Sequence, residues 1–122
     1  MSPRICVVQI NVPDMDRALD FYCDTLGFEI ATRAHYPHIV PLVNEGVSFV
    51  LNLVDDVAII DYPRVAQTLV NFETDDLAGS LRRLEAGGAE LIHRTPQDCP
   101  VGVYAAVRDP FGNVFEMLEY RR

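Results

Sequence analysis

Asp109-Pro110-Phe111-Gly112-Asn113, followed by Val114-Phe115-Glu116-Met117-Leu118, is the stretch whose reading decides the fold. Pro110 presets φ for a turn, and Gly112 supplies a positive φ that branched residues resist. The residues after it are β-prone and alternate, so the stretch reads as a hairpin turn and its return strand. That strand carries one carboxylate, Glu116, among apolar neighbours. Such a group sits at an exposed edge or is aimed into a site. The partners found elsewhere in the chain decide which.

Working outward from the hairpin, the chain turns out to be one unit written twice. The first strand is Ile5 to Val12, with Cys6, Val8, Ile10 and Val12 on an apolar face and Val7, Gln9 and Asn11 on a mixed one. Asp14 then sets a helix N-cap, and Met15, Leu19, Tyr22 and Leu26 form one apolar stripe that Gly27 closes. Strands are expected over Phe28–Arg33, His38–Val43 and Val47–Leu53, giving β-α-β-β-β. After a linker that holds Asp55-Asp56, Asp61 and Pro63 the pattern returns. Asp76 stands 62 positions after Asp14, and Leu77, Leu81 and Leu84 match Met15, Leu19 and Tyr22 at the same offset. Gly87-Gly88 closes the second helix. Gly79 inside that helix costs about 1 kcal/mol against alanine. Ala89–Arg94 echoes Phe28–Arg33, 96–100 reads as a loop, and Val101–Arg108 and Val114–Tyr120 are the last strands. A repeat that spans nearly the whole chain predicts an α+β domain over 1–122: module one 1–54, linker 55–64 and module two 65–122. Each module covers one face of its sheet with a helix, and the two leftover faces are expected to line a shared cup.

Composition narrows the function. A chain of 122 residues that is 49% hydrophobic can bury a core, so it is globular rather than disordered. No apolar run approaches the ~18 residues of a membrane span. The formal charge of −8 argues against nucleic acid or anionic membranes as partners. Met1-Ser2-Pro3-Arg4 leads straight into a strand-like run with no room for a signal peptide. Cys6, Cys23 and Cys99 are odd in number and far apart, which reads as reduced thiols in a cytoplasmic protein. There is no Gly-rich phosphate loop, no G-x-S-x-G elbow and no HExxH.

Two motifs, residues 12–28 (VPDMDRALDFYCDTLGF) and 108–116 (RDPFGNVFE), together with the duplicated unit, resemble the vicinal oxygen chelate superfamily. Its members include glyoxalase I, extradiol dioxygenases, fosfomycin-resistance enzymes and bleomycin-resistance proteins. The resemblance covers essentially the whole chain and is specific for the fold, but weak for the activity. In metal-dependent members it implies a divalent ion held by one ligand from the first strand and one from the last strand of each module. Carried onto this chain, those places are Val7, Asn52, Leu69 and Glu116. Val7 and Leu69 have no donor atom and Asn52 offers only a neutral carbonyl, whereas a catalytic ion wants about three protein ligands. The expectation is therefore a cup without a metal or other cofactor. His35 and His38 read as surface polar histidines and His93 as a half-buried cup-lining one, and a non-standard metal site built from them stays open.

The reading is a metal-free small-molecule binding protein, resembling the branch that sequesters drugs rather than transforming them. Strand alternation selects Gln9, Asn11, Asn52, Asn71, Tyr104, Glu116 and Tyr120 as ligand-facing, and an apolar floor with few polar groups suits an amphiphilic ligand. The acidic balance favours a neutral or cationic one. The alternative is a lyase, isomerase or dioxygenase-type enzyme with an atypical metal, or with Glu116 as a metal-free acid/base. Exposed sheet edges and the family's habit point to a homodimer.

Overall fold

The computed structural model describes residues 2–122. Two compact units part between Val57 and Ala58. The fold is α+β, with one small sheet and one helical segment in each unit.

The first unit opens with β1 (Val7–Val12), which leads into α1 (Met15–Leu19). Asp14 caps that helix by accepting the Arg17 N–H at 3.1 Å. The helix continues as a wider π turn over Asp20–Thr25, where the Leu26 N–H reaches the Phe21 carbonyl at 2.9 Å. The apolar stripe buries as expected through Met15, Leu19 and Tyr22. Tyr22 meets Phe49 edge-on at 6.1 Å, and Phe28 meets Phe49 at 5.1 Å, so the helix is fixed to the sheet by aromatic contacts. β2 (Ile39–Leu42) and β3 (Ser48–Leu53) complete a sheet of order β1-β3-β2, with β1 and β3 parallel.

The strand expected over 28–33 does not form. Only Ile30 bridges, to Leu42, flanked by Ala31 N–H to Pro41 carbonyl (2.9 Å) and Val43 N–H to Glu29 carbonyl (2.8 Å). Pro41 has no N–H to return to Ala31, so the ladder cannot extend on that side of the bridge.

In the second unit β4 (Val70–Glu73) runs parallel to β8 (Val114–Tyr120), and β7 (Gly102–Arg108) runs antiparallel to β8. β5 (Glu90–Leu91) closes the order β4-β8-β7-β5, and β6 (Gln97–Cys99) also pairs with β7. The expected loop 96–100 is thus partly strand, because Pro100-Val101 makes a two-residue turn that folds Cys99 onto Gly102. α2 (Leu77–Ala86) buries Leu77, Ser80, Leu81 and Leu84. The sheet buries Ala105, Val107, Phe115 and Met117, which alternate on one face of β7 and β8. Its N-terminus is capped twice: Asp76 accepts the Gly79 N–H at 3.0 Å, and Glu119 on β8 accepts the Leu77 N–H at 2.8 Å. A Cβ at position 79 would collide with the Asp76 carboxylate, so the glycine makes room for the cap.

The hairpin quoted at the outset joins β7 to β8 as expected. Asp109, 3% exposed, accepts the Phe111 and Asn113 N–H groups on one oxygen, both at 2.9 Å, and the Asn113 side-chain amide on the other at 3.1 Å. Gly112 has φ +99° and presents its carbonyl to the Ile60 N–H at 3.1 Å.

Candidate functional site

Each sheet has a helix-covered face and an outer face, and the selected residues lie on the outer ones. In the first unit, Asn11 pairs with Asn52 and Gln9 with Val50 in the parallel ladder. The Asn11 side-chain oxygen accepts from Gln9 Nε2 at 3.0 Å and from Asn52 Nδ2 at 3.2 Å. Gln9, Asn11 and Asn52 therefore form one amide network. Val7 stands on the same face, 48% exposed.

In the second unit Asn71, Glu116 and Ala106 lie side by side across β4, β8 and β7. Tyr104 lies one rung further, opposite Leu118. Tyr120 is on this face too, but four residues beyond Glu116 it is about 13 Å away along the strand. It stands apart from the others, opposite Gly102.

Two further residues complete the second cluster. The expected strand 89–94 narrows to Glu90–Leu91, because the Ile92 and His93 N–H groups both go to the Ala106 carbonyl, at 3.0 and 3.2 Å. This bulge re-aims His93, whose Nδ1 accepts the Ala106 N–H at 3.0 Å. The neutral ring then carries its proton on Nε2. Tyr62 arrives from the segment before the sheet. The Ile60 N–H bonds to Gly112, and the Arg108 guanidinium donates to the Ile60 carbonyl while pairing with Glu90 at 3.4 Å. Held by this strap, Tyr62 donates its hydroxyl to Glu116 Oε2 at 2.8 Å. Its ring meets His93 edge-on at 5.7 Å, and His93 meets Tyr104 edge-on at 5.5 Å. No local pattern in the sequence marks Tyr62, since only the strap places it.

Burial, then the hydrogen bond to Glu116 and its charge, push the Tyr62 hydroxyl well above the usual tyrosine range. The unfolded chain releases this proton near pH 10 while the folded one keeps it. The stabilisation is therefore full below about pH 10 and declines as pH rises beyond it. Spectrophotometric titration should show Tyr62 still protonated at about pH 11, so that Tyr62→Phe leaves the ionisation seen below that pH unchanged. A smaller amplitude in the variant would refute this.

The four places implied for a divalent ion do not fit one. The ladders sharpen the assignment: Gln9 lies opposite Val50, and Asn71, its repeat equivalent, lies opposite Glu116. Val50, rather than Asn52, is thus the counterpart of Glu116. Val7, Val50 and Leu69 have no lone pair to give. Among the described residues, no three His, Cys, Asp or Glu side chains gather elsewhere. His35 and His38 are exposed in the turn of the first unit.

A family model described as Glyoxalase/Bleomycin resistance protein/Dioxygenase superfamily matches residues 4–117. The chain is 32% identical to the uncharacterized protein PA2024 of Pseudomonas aeruginosa, over 95% of this chain and 88% of that one. Among solved structures it is similar to a glyoxalase/bleomycin resistance protein/dioxygenase family enzyme from Burkholderia phytofirmans PsJN. That likeness has a TM-score of 0.75 and 21% identity over 94% of this chain and 97% of the other. It is also similar to TnmS3, an antibiotic binding protein from Streptomyces sp. CB03234. There the TM-score is 0.69 and the identity 26%, over 98% of each chain.

Proposed function

The chain belongs to the Glyoxalase/Bleomycin resistance protein/Dioxygenase superfamily, and we propose that within it this protein binds a small organic molecule without a metal. The observation that carries the reading is the outer face of the second unit. There Glu116, Tyr62, His93 and Tyr104, all half-buried, bring an acceptor, ring N–H and hydroxyl donors and aromatic surface together. The amide network of Gln9, Asn11 and Asn52 offers a second polar surface of the same kind. The description of TnmS3 as an antibiotic binding protein supports a drug-like or amphiphilic ligand. Native mass spectrometry of the protein after incubation with a panel of aromatic antibiotics tests this. Retention of an intact compound supports binding, and its conversion to a product would replace binding with catalysis.

We place the protein in a reducing compartment, where Cys6, Cys23 and Cys99 stay free thiols. We further propose a homodimer. β1 is the edge of its sheet, and Val7–Val12 carries no charge or proline. Natural edge strands usually carry such a block against pairing, so an unblocked one points to a partner strand. Ile5 and Val7, 74% and 48% exposed, extend that apolar edge. Light scattering should give twice the 13.7 kDa chain mass, and a monomer at micromolar concentration would refute the dimer.

A further inference from the structure

Glu116 is a half-buried carboxylate with an unusual set of neighbours. Its Oε2 takes the Tyr62 hydroxyl at 2.8 Å. The ion pairs Arg64–Asp61, Arg94–Glu85 and Arg108–Glu90 each leave Glu116 out. Arg108, the cation of β7 nearest along the hairpin, is committed to Glu90 and to the Ile60 carbonyl. The flanking residues in the ladder, Asn71 and Ala106, are neutral. Tyr62, whose hydroxyl meets the carboxylate, continues into a ring cluster, Tyr62 to His93 and His93 to Tyr104, edge to face at 5.7 and 5.5 Å.

We propose that Glu116 Oε1, at the end of the Tyr62–His93–Tyr104 ring cluster, is a subsite for a protonated amine on an aromatic ligand. The inference deepens the binding reading above and rests on it. The chemistry is specific. A carboxylate lacking a counter-charge attracts a cation, and an ammonium group beside aromatic faces gains a second attraction from their quadrupoles. His93 Nε2–H adds a donor for an acceptor elsewhere on the ligand. A carboxylate ligand would face Glu116 with like charge. Tyr62 fixes the Oε2 side, so the ligand is offered one oxygen rather than two.

A matched series separates the charge from the ring: 2-naphthylmethylamine, 2-naphthylmethanol and 2-naphthoate, titrated at pH 7 into the full chain and followed by amide chemical shifts. The amine is expected to bind about fivefold more tightly than the alcohol, with the naphthoate weakest, and to shift Asn71, Ala106 and Glu116. Glu116→Gln should bring the amine and the alcohol to equal affinity. In Tyr62→Phe both carboxylate oxygens are open, so the preference for the amine should rise about twofold. Should that preference fall instead to the level of Glu116→Gln, Tyr62 would be the source of selectivity and the assignment would be overturned. Equal binding of all three compounds at these amides, or a preference for the naphthoate, overturns the amine subsite and leaves small-molecule binding standing. Failure of all three to shift this face overturns both. The alcohol is the control within each protein, so wild type and Tyr62→Phe decide the question even where Glu116→Gln folds poorly.

Discussion

Asp109→Ala is expected to destabilise the second unit by about 3 kcal/mol, read as a lower urea midpoint at unchanged slope. The carboxylate is 3% exposed and accepts the Phe111 and Asn113 backbone N–H groups of its own turn and the Asn113 side-chain amide. Alanine leaves the Phe111 and Asn113 N–H groups without their acceptor, in a turn where Phe111 and Gly112 are themselves buried. Each orphaned buried donor costs about 1–3 kcal/mol, and two of them set the scale. Asp109→Asn keeps an oxygen in place and should cost only about 1 kcal/mol. The damage should also travel. Gly112 accepts from Ile60, and a Cβ at 112 would lie 3.0 Å from the Ile59 Cα, so the strap is seated closely on this turn. When the turn loosens, Tyr62 loses its place over Glu116 and its hydroxyl should titrate closer to an ordinary tyrosine. A loss below about 1 kcal/mol in the alanine variant would show that Pro110 and Gly112 shape the turn unaided.

What the sequence disclosed follows from how local each cause is. The caps Asp14 and Asp76, the helix stripes and the two faces of β1 and β8 rest on neighbours within a few residues, and all of them stand in the structure. The missing strand at 28–33 was hidden in part because Pro41, which stops the ladder beyond Ala31, lies on the partner strand. His93 stands half-buried on the outer face as the sequence suggests, but the bulge that aims it there was hidden, since it is set by Ala106 on the neighbouring strand. Position along the chain makes Asn52 the counterpart of Glu116. The modules, however, differ in loop length between helix and last strand, and only the ladder register identifies Val50. Tyr62 was least legible, because it belongs to a segment that reads as linker. Its role depends on three contacts from Gly112 and Arg108.

Gly102 provides the second large effect, and its cause differs from that of the turn glycines. Its φ is not among the positive ones, so alanine meets no backbone strain there. The obstacle is space. A Cβ at 102 would overlap the Glu119 carbonyl oxygen and lie 2.8 Å from the Arg121 nitrogen and 3.0 Å from the Tyr120 Cα. All three are backbone atoms, which cannot rotate aside as a side chain would. Relief requires the ends of β7 and β8 to part, which strains the Arg121 N–H to Val101 carbonyl bond at 2.8 Å and the tight β6–β7 turn. Overpacking of this kind costs about 1–3 kcal/mol, and Gly102→Ala should fall at the upper end. Gly88→Ala is the informative control. That residue has φ +103° and open space around its Cβ, so it should cost only about 1 kcal/mol through backbone conformation. Tyr104 is two residues from Gly102 on the same face, so the parted strands should also weaken the contact of its ring with His93. Equal urea midpoints for Gly102→Ala and Gly88→Ala would show that the strand ends yield without cost, and the packing argument would fail.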